Sequence, residues 1–98
     1  MEEKKPEIQI EIDDITAQGM YVNLAMIGHS ENEVIIDFIF LQPQAPKAKV
    51  RSRIITSPGH AKKLLAALQD NIAKYEARYG EIKVNPQSEP DKKIGFYH

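Results

Sequence analysis

The central hydrophobic run of the chain, Val34 to Leu41, is apolar on both faces of a predicted strand. Side chains of a strand alternate between its two faces, and only Asp37 interrupts the run. One helix can cover one face of a small sheet, and the sequence contains a single long helical pattern. The second face therefore needs another cover, and we expect a second copy of the chain to supply it.

Three further strands are predicted around this run. Residues 7–13 alternate strictly between polar residues and isoleucine, which is typical of a strand with one face in water. Residues 20–27 and 48–56 also have strand patterns, separated from the central run by segments that contain glycine or proline. Because the connections between the last three strands are short, the order favours an antiparallel meander.

One long helix is predicted after the last strand. Ser57 is a good N-cap, Pro58 suits the first helical position, and Gly80 ends the pattern as a C-terminal glycine. Between them, apolar residues recur at three and four positions and form one stripe. The stripe comprises Ala61, Leu64, Leu65, Leu68, Ile72, Tyr75 and Tyr79.

These elements predict a single α+β domain over residues 1–98, with a four-stranded antiparallel meander and one long helix packed on the face of Phe38 and Phe40. The ordered core is expected over residues 7–84, and the proline-containing, charged segment from 85 to 98 is expected to be a flexible tail. The remaining sheet face is the predicted oligomer interface. Its candidate residues are Tyr21, Ile35, Ile39, Leu41 and Ile55.

Composition narrows the classes of function. The net charge of −1 gives no overall attraction to nucleic acid or to an anionic membrane. The absence of cysteine excludes disulfides and thiolate metal sites and fits a reducing cytoplasm. The first residues lack the apolar stretch of a secretory signal, and no apolar run approaches the roughly 20 residues that span a bilayer. We therefore expect a soluble cytoplasmic protein.

Polar residues on the second sheet face form one candidate site. A turn centred near Ser30 would place Asn23 opposite Asp37, and the proline loop would place Asp37 opposite Arg51 or Arg53. One interpretation is a small pocket for a ligand or a peptide carboxylate. The favoured interpretation is a cross-strand ion pair that sets the register of the strands.

Other patterns support chemistry less well. The basic residues of the strand at 47–53, with Lys62 and Lys63, form a cluster, but a nucleic-acid site also needs exposed aromatic residues. The helix start at Ser57 lacks the glycine spacing of a phosphate loop. The three histidines, His29, His60 and His98, lack the spacing of a metal site. We therefore expect no catalytic residue, no metal and no cofactor.

The order of several short motifs resembles a known family. They are Gly19-Met20-Tyr21-Val22-Asn23, Asp37-Phe38, a proline loop, Arg53-Ile54, Ser57-Pro58-Gly59-His60-Ala61-Lys62, and Asn71-Ile72-Ala73-Lys74-Tyr75-Glu76 through Tyr79-Gly80. Over roughly residues 8–83 the chain resembles the small prokaryotic proteins grouped as domain of unknown function 3467. Positions that look characteristic are Tyr21, Asn23, Asp37, Phe38, Arg53, Pro58, Tyr75, Glu76 and Gly80. Val22 departs from the usual small residue, and the resemblance implies no established activity.

The predicted order of four strands and a long helix is also similar to the protomer of the SecB export chaperone, which assembles and holds unfolded clients. This likeness concerns architecture alone. We expect a non-enzymatic homo-oligomer that binds another polypeptide. The first alternative is a nucleic-acid-associated accessory protein that uses the basic strand at 47–53, and the second is a small-ligand sensor that uses Asn23, Asp37 and Arg53.

Overall fold

The computed structural model describes residues 7–44 and 46–84. In chain order its elements are the short helix α1 (Asp14–Ala17), the strands β1 (Leu24–His29), β2 (Val34–Gln42) and β3 (Lys47–Thr56), and the helix α2 (Pro58–Tyr79). The strands form one antiparallel sheet in the order β1-β2-β3. The α+β class, the antiparallel sheet and the long helix after it are therefore confirmed.

The first predicted strand is not present in this sheet. Residues 7–13 have no regular secondary structure, and Ile8 and Ile10 are 85% and 92% exposed. Alternation makes a segment suitable for a sheet, but a strand forms only where its backbone groups find a partner. The described part of the chain thus contains a three-stranded sheet, which corrects the prediction of four strands.

Residues 7–13 end in a helix cap. Asp13 is the N-cap of α1: its Oδ1 atom accepts a hydrogen bond of 2.6 Å from the backbone N–H of Thr16. That hydrogen bond holds the pKa of Asp13 below its ordinary value because it stabilises the charged carboxylate.

The turn between β1 and β2 lies later than predicted. The N–H of Ser30 donates to the carbonyl of Glu33, and the Ser30 hydroxyl accepts from the N–H groups of Asn32 and Glu33. β1 consequently runs to His29 and includes Gly28. The residue opposite Asp37 is therefore Met26 rather than Asn23.

A β-bulge changes the two faces of β3. Phe38 lies opposite Ser52 and Ile39 lies opposite Val50, so Arg51 is an extra residue between them. Strict alternation would place Val50 and Arg53 on different faces. The bulge instead places both on one face of the sheet.

The sheet therefore has two chemically distinct faces. We call the face that carries Val34, Ile36, Phe38 and Phe40 the Phe face, and the face that carries Ile35, Asp37, Ile39 and Leu41 the Asp face. On β3, pairing puts Lys47, Lys49, Ser52 and Ile54 on the Phe face. The same pairing puts Ala48, Val50, Arg53 and Ile55 on the Asp face.

The long helix begins and ends as its sequence predicts. The Ser57 hydroxyl accepts a hydrogen bond of 3.1 Å from the N–H of His60, and Pro58 occupies the first turn. Gly80 follows the last helical residue with φ of 102°, a conformation that favours glycine. Its N–H donates to the carbonyl of Glu76, which satisfies one carbonyl at the end of the helix.

The packing of this helix differs from the prediction. No residue of α2 is buried, and the large residues of its apolar stripe are between 41% (Ile72) and 65% (Tyr79) exposed. Extensive contacts between elements of the described chain join only β1 with β2 and β2 with β3. The expected packing of α2 across the Phe face is therefore wrong for the single chain.

A shorter segment covers part of the Phe face instead. Ile15 and Met20, together with Phe38 and Ser52, border a depression of about 450 Å³. The ring of Tyr21 meets the ring of Phe40 edge-on, with 6.2 Å between the ring centres. The segment after α1 thus lies against the face that was expected to receive the long helix.

The end of the described chain folds back on α2 without forming a strand. Residues 81–84 have no regular secondary structure. The N–H of Ile82 donates to the carboxylate of Glu76 at 2.9 Å. The predicted flexible tail at 85–98 lies outside the described residues. None of the described helices is both long and apolar enough to cross a membrane.

The cap of α2 can be tested directly. Ser57→Ala removes the acceptor for the His60 N–H, and we expect it to lower the free energy of unfolding by about 1 kcal/mol. Ser57→Asp retains an acceptor, and its free energy of unfolding should stay close to that of the unchanged protein. Urea denaturation followed by circular dichroism measures both values, and equal losses in the two variants would contradict the assigned cap.

Candidate interaction site

The one buried polar side chain in the described part of the chain lies at the centre of the sheet. Asp37 is 1% exposed and lies between Met26 of β1 and Arg53 of β3. Arg53 Nε donates to Asp37 Oδ1 at 2.8 Å, and Arg53 Nη2 donates to Oδ2 at 2.9 Å. This two-point geometry is the strong form of a charge-assisted hydrogen bond. The structure thus selects Arg53 from the two arginines that the sequence left open.

Asn23, the second member of the predicted polar row, does not join this pair. Its Nδ2 donates to the carbonyl of Leu41 at 3.0 Å, and its Oδ1 accepts from the N–H of Leu41 at 2.8 Å. The side-chain amide therefore replaces a backbone amide and continues the ladder beyond the start of β1. Asn23 has a structural role here, since it pairs the end of β2 with the segment that leads into β1.

Arg51, the remaining candidate, lies on the other side of the sheet. It is the bulge residue of β3, and its guanidinium carbon is 5.4 Å from the centre of the Phe40 ring. That distance is within the range of a cation–π interaction, and it places the Arg51 side chain on the Phe face. The predicted cluster therefore separates into one ion pair and two single residues.

An open depression of about 360 Å³ lies beside the ion pair on the Asp face. Its lining residues are Met26, Gly28, His29, Ser30, Ile35, Asp37 and Arg53. A ligand carboxylate would need the positive charge of Arg53, which Asp37 already balances at hydrogen-bond distance. The geometry therefore favours the structural interpretation of this pair over the small-ligand sensor.

The predicted interface residues differ in their accessibility. Ile39 is 0% exposed and Ile35 is half-buried, so Ile39 is already covered within one chain. Tyr21, Leu41 and Ile55 are exposed. Of these, Leu41 and Ile55 lie on the Asp face by their pairing, whereas Tyr21 contacts Phe40 of the Phe face.

Two accessible apolar surfaces were not among the predicted interface residues. One is the stripe of α2, and the other is the isoleucine row of residues 7–13, formed by Ile8, Ile10 and Ile12. Their sequence signals were visible as helical and alternating periodicities. Both were assigned to the interior of the single chain because periodicity shows which residues share a face, without showing what covers that face.

The metal-binding residue types do not converge in the part of the chain that is described. Residues 7–44 and 46–84 contain no group of three His, Asp or Glu side chains close enough to hold a metal ion. His29 ends β1, and His60 lies in the first turn of α2. His98 lies outside the described residues.

The fold and these surfaces define a small α+β protein with an antiparallel sheet, a central ion pair and several uncovered apolar surfaces. The chain belongs to the family described as Protein of unknown function (DUF3467), whose family profile matches residues 1–84. The resemblance seen in the sequence motifs is thereby confirmed. No curated protein matches the chain, and no solved structure matches it either.

The structural role of the ion pair predicts a specific pattern of stabilities. Arg53→Met removes the two donors that Arg53 supplies to a buried carboxylate, and we expect a loss of about 1–3 kcal/mol in the free energy of unfolding at pH 7. This expected loss is smaller than for a fully buried ion pair because Arg53 is half-exposed and water screens its charge.

The double variant Asp37→Leu/Arg53→Met removes both charges, and we expect it to be more stable than Arg53→Met alone. Urea denaturation of the two single variants and the double variant gives the coupling energy between the side chains. Additive losses would show that the pair does not act as a unit.

Proposed function

We propose that this protein is a non-enzymatic, homo-oligomeric module whose binding partner is a polypeptide. The observation that carries the proposal is the exposed apolar stripe of α2. α2 has 22 residues and an apolar stripe along its length. Because helices in proteins owe most of their stability to packing of their apolar side, contact of this stripe with water stabilises the helix little.

The burial of apolar side chains supports the same proposal. Among the large hydrophobic residues described, only Ile36 and Ile39 are buried. Covering one large apolar side chain contributes roughly 1.5–3 kcal/mol, and an entire domain is stable by about 5–15 kcal/mol. Two buried isoleucines fall short of an ordinary core, so we infer that association supplies the missing burial.

The uncovered apolar surfaces of α2 and of the sheet could pack against each other between two copies of the chain. The stripe of α2 matches in kind the exposed apolar residues on the sheet, which include Ile27 and Ile54 on the Phe face and Ile55 on the Asp face. Obligate interfaces are hydrophobic and look like a domain core cut in half. Part of the same surface, when it is not occupied by another copy, would accept an apolar segment of a different protein.

Two further considerations agree with this proposal. Asp37 carries the one buried carboxylate among the described residues, and Arg53 engages both of its oxygens, so a structural use accounts for Asp37 without any reaction. The likeness to the SecB protomer was expected for four strands, of which the described chain retains three and the long helix, and it is compatible with a holding role at the level of architecture only. We also propose a cytoplasmic location, which the absence of cysteine fits.

The mass of the protein in solution tests the first half of the proposal. The chain has a mass of 11.1 kDa, and we expect size-exclusion chromatography with light scattering at micromolar concentration to give a multiple of it. Leu68→Glu/Ile72→Glu puts two charges into the α2 stripe and should shift the protein to smaller species. Lys63→Gln/Ala67→Glu changes the net charge equally on the polar side of α2 and should leave the mass unchanged.

A strict monomer at these concentrations would contradict the oligomer. The second half of the proposal needs a binding measurement with a reduced and alkylated, permanently unfolded protein as the probe. We expect fluorescence anisotropy to show saturable binding that Leu68→Glu/Ile72→Glu weakens and the matched control retains. No binding by the unchanged protein would contradict a role in holding other polypeptides.

The nucleic-acid alternative makes a different prediction. It relies on Lys47, Lys49 and Arg51, which lie exposed on β3 beside Phe40. Binding of a mixed-sequence single-stranded DNA should then weaken steeply as salt rises, because each neutralised phosphate releases counterions. Lys49→Glu/Arg51→Glu should abolish it. Such behaviour would favour the alternative over the polypeptide-binding proposal.

A further inference from the structure

The isoleucine row of residues 7–13 has the pattern of a strand, but no described strand pairs with it. Ile8, Ile10 and Ile12 alternate with Glu7, Gln9, Glu11 and Asp13, so in an extended conformation the isoleucines share one face and the acids share the other. The sheet pairings of the described chain involve only β1, β2 and β3. Seven residues are enough for a strand of ordinary length.

β3 offers an edge to which such a strand could be added. Within residues 7–44 and 46–84 it pairs with β2 on one side only, and no described strand uses the backbone groups on its outer side, where another strand can be added. On the Phe face this edge carries a basic row formed by Lys47, Lys49 and Arg51. On the Asp face it carries Ala48, Val50 and Ile55, together with Arg53, whose guanidinium is bound to Asp37.

The two chemical patterns are complementary face by face. If residues 7–13 lie along β3 with the isoleucines on the Asp face, Glu7, Glu11 and Asp13 face the basic row across the strands. Opposite charges on neighbouring strands are favourable and like charges are unfavourable. The same orientation sets the three isoleucines beside Val50 and Ile55. The opposite orientation would place the isoleucines beside the basic row and the acids beside Val50 and Ile55. Charge and hydrophobicity therefore select the same orientation.

The other edge of the sheet lacks this complementarity. β1 has the sequence Leu24-Ala25-Met26-Ile27-Gly28-His29 and contains no lysine or arginine. Acidic residues placed beside it would be buried or solvated without a cationic partner. β3 is therefore the edge that fits.

We propose that residues 7–13 of one copy pair with the β3 edge of a second copy, and that the two copies exchange these segments around a two-fold axis. This inference rests on the proposed homo-oligomer and names the contact that holds it together. Every copy carries one donor segment and one acceptor edge, so a reciprocal exchange satisfies both and closes the assembly. Each sheet then has four strands, the fourth from the partner.

Exchange between copies fits the local geometry better than pairing within one chain. The segment ends at the Asp13 cap and α1 follows it directly, and the residues after α1 lie against Phe38 and Ser52. From that position the segment of the same chain leaves Ile8 and Ile10 almost fully exposed. The edge of a second copy can approach those residues from outside without moving the cap.

Charge reversal in two separate chains tests the exchange. The acid-reversed variant is Glu7→Lys/Glu11→Lys, which spares the Asp13 cap, and the base-reversed variant is Lys49→Glu/Arg51→Glu. Each variant alone opposes like charges at both contacts, and we expect its dimer to dissociate at least about tenfold more readily. An equimolar mixture restores opposite charges at both contacts and should form a heterodimer as tight as the original.

The control replaces the base-reversed chain by Lys62→Glu/Lys63→Glu, which has the same change in net charge but lies on α2. It should stay dimeric alone. Mixed with the acid-reversed chain it leaves like charges at one of the two contacts, so this heterodimer should be weaker than the one formed with the base-reversed chain. Ile10→Pro is an independent variant that removes a backbone donor from the segment. Because Ile10 is exposed in the single chain, circular dichroism should remain unchanged while the dimer weakens. Light scattering and sedimentation equilibrium measure the masses and dissociation constants.

The outcomes separate the two proposals. A monomeric unchanged protein would overturn the homo-oligomer and the strand exchange together. A dimer that withstands the reversals and Ile10→Pro would overturn the exchange alone, and so would variants that weaken but are not restored by mixing. Restoration only when all four reversals are placed in one chain would assign the pairing to a single copy.

Discussion

The ion pair between Asp37 and Arg53 is the interaction on which the arrangement of the sheet depends. Asp37 lies on the central strand, where its carboxylate is removed from water. An unpaired charge at that position would be very unfavourable, so the strands must align to bring Arg53 opposite it. Any slip of β3 by one residue would separate the two side chains and move its apolar residues to the other face.

The bulge at Arg51 belongs to the same constraint. β3 has to present Arg53 to Asp37 and Val50 to Ile39 on one face, although these residues are an odd number of positions apart. One extra residue in the strand makes both pairings compatible. It also sends Arg51 to the Phe face, where its guanidinium lies over Phe40 and extends a basic row along the edge of the sheet.

Much of the fold could be predicted because its signals are local. The bounds of α2 follow from Ser57, Pro58 and Gly80, whose backbone preferences act within one turn of the helix. The choice of Arg53 as a candidate partner of Asp37 followed from the loop length. The predicted position of Asn23 was wrong because the Ser30 hydroxyl closes the turn later, and a shift of the turn displaces every residue of the preceding strand.

The sequence alone determined which residues share a face: the apolar stripe of α2, the isoleucines of residues 7–13 and the two faces of β2. Periodicity encodes this property because side chains project at fixed angles from a regular backbone. Only the tertiary structure decided that α2 does not cover the Phe face, that residues 7–13 pair with no strand of the described chain, and that Ile39 is buried while Ile55 is not. Burial depends on contacts between distant parts of the chain, and a pattern of spacing carries no information about which of several apolar surfaces will meet.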